Sequence, residues 1–163
     1  PEADRLTGTG KIDLESGTLP SNPTIKKIES FLSRDLISGR PYESTQINMT
    51  IQDGKIDLEP FNLVSENATL RMGGSVELEG LMQLDVQLSV AADAVSLPGV
   101  SNQVLSSVAD QSGAVTIPLN VTGTPEQPNV SVDQAELAKI LKSSAGRALE
   151  RGLRNLLGGS RDQ

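Results

Sequence analysis

From Tyr42 to Val90 the chain reads as a run of consecutive strands in which apolar and polar residues alternate, the period of two that belongs to strands with one buried face. Ile47, Met49 and Ile51 alternate with Gln46, Asn48, Thr50 and Gln52. Asp53-Gly54 follows, a dipeptide that tolerates the positive φ angles of a two-residue hairpin. The chain then returns through Lys55-Ile56-Asp57-Leu58-Glu59, again alternating. Leu70 and Met72 begin a further strand, Gly73-Gly74 is expected to turn or bulge it, and Val76 and Leu78 continue it. After Gly80, Leu84, Val86, Leu88 and Val90 alternate with Asp85, Gln87 and Ser89. The pattern predicts a β-meander with one aliphatic face and one acidic, wet face.

The flanks extend this plan. Thr7–Leu19 reads as a strand with Ile12 and Leu14 on one side and Lys11, Asp13 and Glu15 on the other, turned or bulged at Ser16-Gly17. The hexapeptide from Gly10 to Glu15 recurs identically from Gly54 to Glu59, and Gly74–Glu79 is a looser copy, the mark of a reused structural unit. Asn22-Pro23 is a helix start, with Asn as N-cap and Pro at the first helical position. Ile25, Ile28, Phe31, Leu32 and Leu36 form its apolar stripe, and Gly39-Arg40-Pro41 ends it. Leu97-Pro98-Gly99 is a turn, and Asn102–Asp110 a short helix. Val115, Ile117, Leu119 and Val121 make another alternating strand, in which Pro118 argues for an edge or a bulge. Val130 and Val132 close the sheet. Asp133, with Glu136 three residues on, signals a final helix of about twenty residues, with Leu137, Leu141, Leu149, Leu153 and Leu156 on one side and Arg147, Arg151 and Arg154 on the other. Those leucines are expected to close one end of the sheet. The rival expectation lays them on anionic lipid.

Length and composition narrow the chemistry. A chain of 163 residues fits one domain, residues 1–163, and its start at Pro1 reads as a segment of a longer protein. The formal charge is −7, but Gln134–Gln163 carries six basic and three acidic residues, leaving −10 on the rest. That balance argues against nucleic acid as a partner. There is no Cys and no His, which removes thiol nucleophiles, imidazole acid–base catalysis and ordinary zinc sites. No catalytic, cofactor or metal site is expected, and the chain reads as no enzyme. Asp13, Glu15, Asp57, Glu59, Glu77 and Glu79 are a solvated face unless their strands adjoin, where calcium becomes conceivable. Lys11 and Lys55 read as charges that discourage edge pairing.

The order of these elements resembles the C-terminal region of the AsmA-like proteins of Gram-negative bacteria. The residues that carry the likeness are Thr7-Gly-Thr-Gly10 through Gly17-Thr-Leu-Pro20, the central Ile47–Leu58, Gly73–Leu78, Ile117–Thr124, Pro128–Asp133 and the Leu/Arg-rich end. The resemblance implies an α+β domain built on a strongly curved, groove- or taco-like antiparallel β-sheet, with one helix near the N-terminus and an amphipathic C-terminal helix. It further implies a periplasmic location, held by an inner-membrane anchor in the full-length protein. The function so implied is non-enzymatic phospholipid binding or transport, or outer-membrane maintenance. The groove candidates are Ile47, Met49, Ile51, Leu84, Val86, Leu88, Val115, Ile117 and Leu119. The alternative is a structural or docking module that extends its sheet with an envelope protein by β-strand addition.

Overall fold

The computed structural model describes residues 6–33, 35–97 and 100–143. Nine strands and short helices follow one another as β1 (Gly8–Leu14), β2 (Gly17–Thr18), α1 (Pro23–Glu29), β3 (Pro41–Tyr42), β4 (Thr45–Gln52), β5 (Lys55–Val64), β6 (Ala68–Glu77), β7 (Met82–Ala91), a 3₁₀ turn (Ala92–Ala94), α2 (Asn102–Ser107), β8 (Ala114–Gly123) and β9 (Pro128–Val132). Residues 134–143 are helical and are called α3. Seven strands make one antiparallel sheet in the order β1-β4-β5-β6-β7-β8-β9, and β2 pairs with β3 in a small second sheet. The architecture is α+β and mostly antiparallel β.

The meander forms where the alternation predicts it. Asp53 and Gly54 have φ of 52° and 74° and close the β4–β5 hairpin between Gln52 and Lys55. The identical hexapeptides fall on β1 and β5, the two strands that flank β4, where Ile12 opposes Ile47 and Ile56 opposes Ile51. Gly73 and Gly74 depart from expectation, since they lie inside an unbroken β6. The irregularity sits on the neighbouring β5, between Leu58 and Phe61. A Cβ on Gly73 would stand 3.3 Å from Pro60 Cα, and one on Gly74 (φ 135°) would run into the Gln83 carbonyl oxygen. These glycines let β6 run close between the bulged β5 and β7.

Pro118 sits where an interior strand becomes locally an edge. β8 lies between β7 and β9, but β9 pairs only with Leu119–Gly123. The proline is tolerated because β9 stops opposite it: the Pro118 carbonyl accepts from Asp133 N–H (2.9 Å), where the chain leaves the sheet for α3. Its missing N–H has no strand partner to disappoint.

The first helix is shorter than its stripe. Asn22 caps it, Oδ1 accepting from Ile25 N–H at 2.8 Å, but regular helix ends at Glu29. Beyond it Ser33 N–H donates to Ala94 and Ser96 N–H to Phe31, and a bridge joins Leu32 to Val95. The buried Glu29 carboxylate accepts from Ile37 N–H (3.0 Å), Ser38 N–H (2.6 Å) and Ser38 Oγ–H (2.8 Å). Pairing with residues 94–96 and this carboxylate clamp replace the helix, while Leu36 and Ile37 still reach the core.

Both long insertions, residues 15–44 and 92–113, enter at the same end of the sheet, opposite the tight turns at 53–54 and 78–81. They cover the apolar face over β6 to β9, with α1 packed against β9. Asp133 caps α3 by accepting from Glu136 N–H (3.1 Å), and Leu137 is buried. The rest of the expected helix, Ala145 to Leu156 with Arg147, Arg151 and Arg154, lies outside the described residues, as do Pro98, Gly99 and the chain's first five residues.

Candidate functional site: a half-covered apolar face

Antiparallel register puts the alternating aliphatics of all seven strands on one face. One row runs Met49, Leu58, Gly74, Leu84, Val121, Val130, and the next Ile51, Ile56, Val76, Met82. All nine groove candidates belong to this face, so the register brings them together as the alternation required.

Burial divides them. Val86, Leu88, Val115, Ile117 and Leu119 are at most 3 % exposed and form the core beneath the two insertions. They share this buried cluster with Ile25 and Ile28 of α1 and with Leu36 and Val95 of the insertions. Leu84 is half-buried and packs against that core. Ile47 is buried but stands outside the core cluster, and Met49 and Ile51 are half-buried outside it.

The part of the face left outside the core thus falls on β1, β4, the first half of β5 and the end of β6. Residues absent from the sequence-based site complete it. Leu14, Ile56, Leu58, Phe61 and Val76 are half-buried, and Ile12 is 44 % exposed. Leu78 and Leu81, in the turn that follows β6, are 46 % and 49 % exposed at the same end. Alternation identified Ile12, Leu14, Ile56, Leu58, Val76 and Leu78 as apolar-face positions; Phe61 reaches the face only through the register shift between Leu58 and itself, and Leu81 lies in a turn outside the alternation. What alternation lacked was the reach of the insertions, which decides which half is sealed.

The opposite face carries a polar hollow of about 850 Å³ along β5 to β8, with Asp57, Arg71, Ser75, Gln83, Asp85 and Asn120 among its lining. Asp57 and Asp85 are exposed there. Among the described residues no three acidic groups gather as a metal site, so the strand carboxylates do not form the calcium cluster considered above. A smaller apolar hollow of about 530 Å³ lies at the β9 edge between Phe31, Leu97, Val100, Val132 and Leu137. Among the described residues no helix is long and apolar enough to cross a membrane.

Asp110 sits in a hydrogen-bonded turn ahead of β8. Hydrogen bonds from the Ser112 hydroxyl, then from backbone N–H groups including that of Ala114, hold it below the usual carboxylate range. It braces the loop into β8 and lies away from the open apolar strip.

No protein-family model, curated protein or solved structure matches the chain.

Proposed function

We propose that this chain is a non-enzymatic envelope module that holds an acyl-chain lipid against the uncovered half of its apolar face. One observation carries the reading. The face is continuous across seven strands, yet its core cluster stops short of β1 and β4, and among the described residues no helix packs over Ile12, Met49, Ile51, Ile56 and Val76. Large exposed aliphatics flank that strip at Leu78 and Leu81, and such contiguous apolar surface usually marks an interaction site. Each lipid methylene buried there contributes about 0.8 kcal/mol. The right-handed twist common to such sheets would curl the strip into a shallow trough. The likeness of the element order to AsmA-like proteins supports a periplasmic setting, with phospholipid as the ligand and an inner-membrane anchor elsewhere in a longer protein.

The test is titration with a fluorescent fatty-acyl probe. Saturable binding is expected, weakened at least ten-fold by Ile51→Asp or Ile56→Asp and unchanged by Asp57→Asn on the other face. Equal binding by all four proteins, with circular dichroism unchanged, contradicts the reading.

A further inference from the structure

The two edges of the large sheet are finished differently. At β9 the strand is only five residues long, α1 packs beside it, and Lys27 Nζ donates to the Pro128 carbonyl at 2.6 Å. At the other edge β1 is seven residues long and pairs with β4 without a bulge. Among the described residues no strand pairs with its outer side. A long regular edge of this kind is a template for another strand.

Which groups of β1 face outward follows from the ladder. A strand residue points its N–H and C=O to the same side, and successive residues alternate. Pro118, on the polar face of β8, points its carbonyl toward β9, while Val64 and Glu77 bond toward the β4 and β7 sides. Carried across the sheet, this pattern turns the backbone groups of Thr9, Lys11 and Asp13 away from β4, where they have no strand partner among the described residues. Their side chains lie on the polar face, with Ile12 between them on the apolar face.

That arrangement is complementary to itself. When a second β1 is laid antiparallel with Ile12 on the two-fold axis, Lys11 of each copy falls opposite Asp13 of the other. Both pairs are between outward-pointing residues, the positions that exchange backbone hydrogen bonds. Opposite charges then face one another twice on the polar side, a favourable cross-strand pairing. The Asp13 carboxylate is already steadied there by Gln46 Nε2 (2.8 Å). On the apolar side the two half-exposed Ile12 side chains meet. Centring instead on Lys11 would set like charges face to face. Lys11, which alone would repel a partner strand, becomes through its two-residue spacing from Asp13 the residue that selects one.

We infer that the open edge of β1 pairs with β1 of a second copy of this chain, in the register Ile12 to Ile12. The result is a two-fold dimer with one continuous fourteen-stranded sheet, twice the seven strands of each copy. The inference does not depend on lipid binding, although the pairing would join the two uncovered strips along one face.

The test uses charge exchange and a cross-link. Analytical ultracentrifugation of the wild-type chain should give twice the 17.2 kDa chain mass. Lys11→Glu and Asp13→Lys should each weaken the dimer about ten-fold or more, since two symmetric pairs turn repulsive. The double variant Lys11→Glu/Asp13→Lys should restore it. The chain has no cysteine, so Ile12→Cys gives a clean readout. Non-hydrogen-bonded partners sit about 4.5 Å apart at Cα, within disulfide reach. Mild oxidation should therefore cross-link Ile12→Cys but not Thr9→Cys, whose copies would stand about 20 Å apart. A monomeric wild type, single variants that associate as wild type does, or equal cross-linking at positions 9 and 12 would overturn the inference.

Discussion

Truncating Leu88 and Ile51 to alanine separates the sealed half of the apolar face from the open half. Leu88 is fully buried, with Leu70 and Ile117 opposite it on the neighbouring strands, themselves 2 % and 1 % exposed. Leu88→Ala removes three carbons from a site that can relax little, so it should cost about 3–4 kcal/mol. At roughly 2–4 °C per kcal/mol for a chain of this size, the melting temperature should fall by about 6–16 °C. Ile51 sits in the uncovered row, half-buried, with Gly8 and Ile56 opposite. Water already reaches part of it, and no rigid wall would preserve a cavity, so Ile51→Ala should cost only about 1 kcal/mol. With one tyrosine and no tryptophan, urea unfolding is best followed by far-ultraviolet circular dichroism. A loss at Ile51 that equals the loss at Leu88, with m-values unchanged, would refute the division of the face on which the binding argument rests.

Other consequences are as direct. Gly74→Ala should lower stability by several kcal/mol in the same assay, because φ of 135° is strained for a side chain and a Cβ there would run into the Gln83 carbonyl oxygen. Glu29→Ala should cost about 2–3 kcal/mol by stranding the Ile37 and Ser38 donors, and amide exchange at those two positions should accelerate. The Asp110 carboxyl, depressed by the Ser112 hydroxyl and the Ala114 N–H, should titrate below the usual aspartate range in an NMR pH series. Since its folded pKa lies below the unfolded one, the loop's extra stability is present above that value and is lost as pH falls through the folded pKa. Asp110→Ala should abolish that pH dependence.

The sheet was legible because strict alternation fixes which face each residue occupies, and the Asp53-Gly54 dipeptide fixes one hairpin's register. The closing strand and the Asp133 cap were legible for the same local reasons. What local pattern could not carry was tertiary competition. The apolar stripe from Ile25 to Leu36 has helical spacing, yet the 94–96 segment and the Glu29 carboxylate claim the backbone beyond residue 30. Pro118 reads locally as an edge signal, but only the end of β9 reveals why an interior strand accepts it. The candidate site suffered most from this limit. Val86, Leu88, Val115, Ile117 and Leu119 carry the same alternating signal as Met49 and Ile51. Among the described residues, the placement of two distant insertions puts the first group in the core and leaves the second outside it.

The measurement that bears most directly on lipid binding is native mass spectrometry of the chain purified from bacterial cells without detergent exchange. Phospholipid-sized adducts on the wild type, lost in Ile51→Asp and Ile56→Asp while Asp57→Asn retains them, are the expected result. A wild type that carries no lipid at any collision energy, or adducts that persist equally in all the variants, would contradict a binding face at β4 and β5.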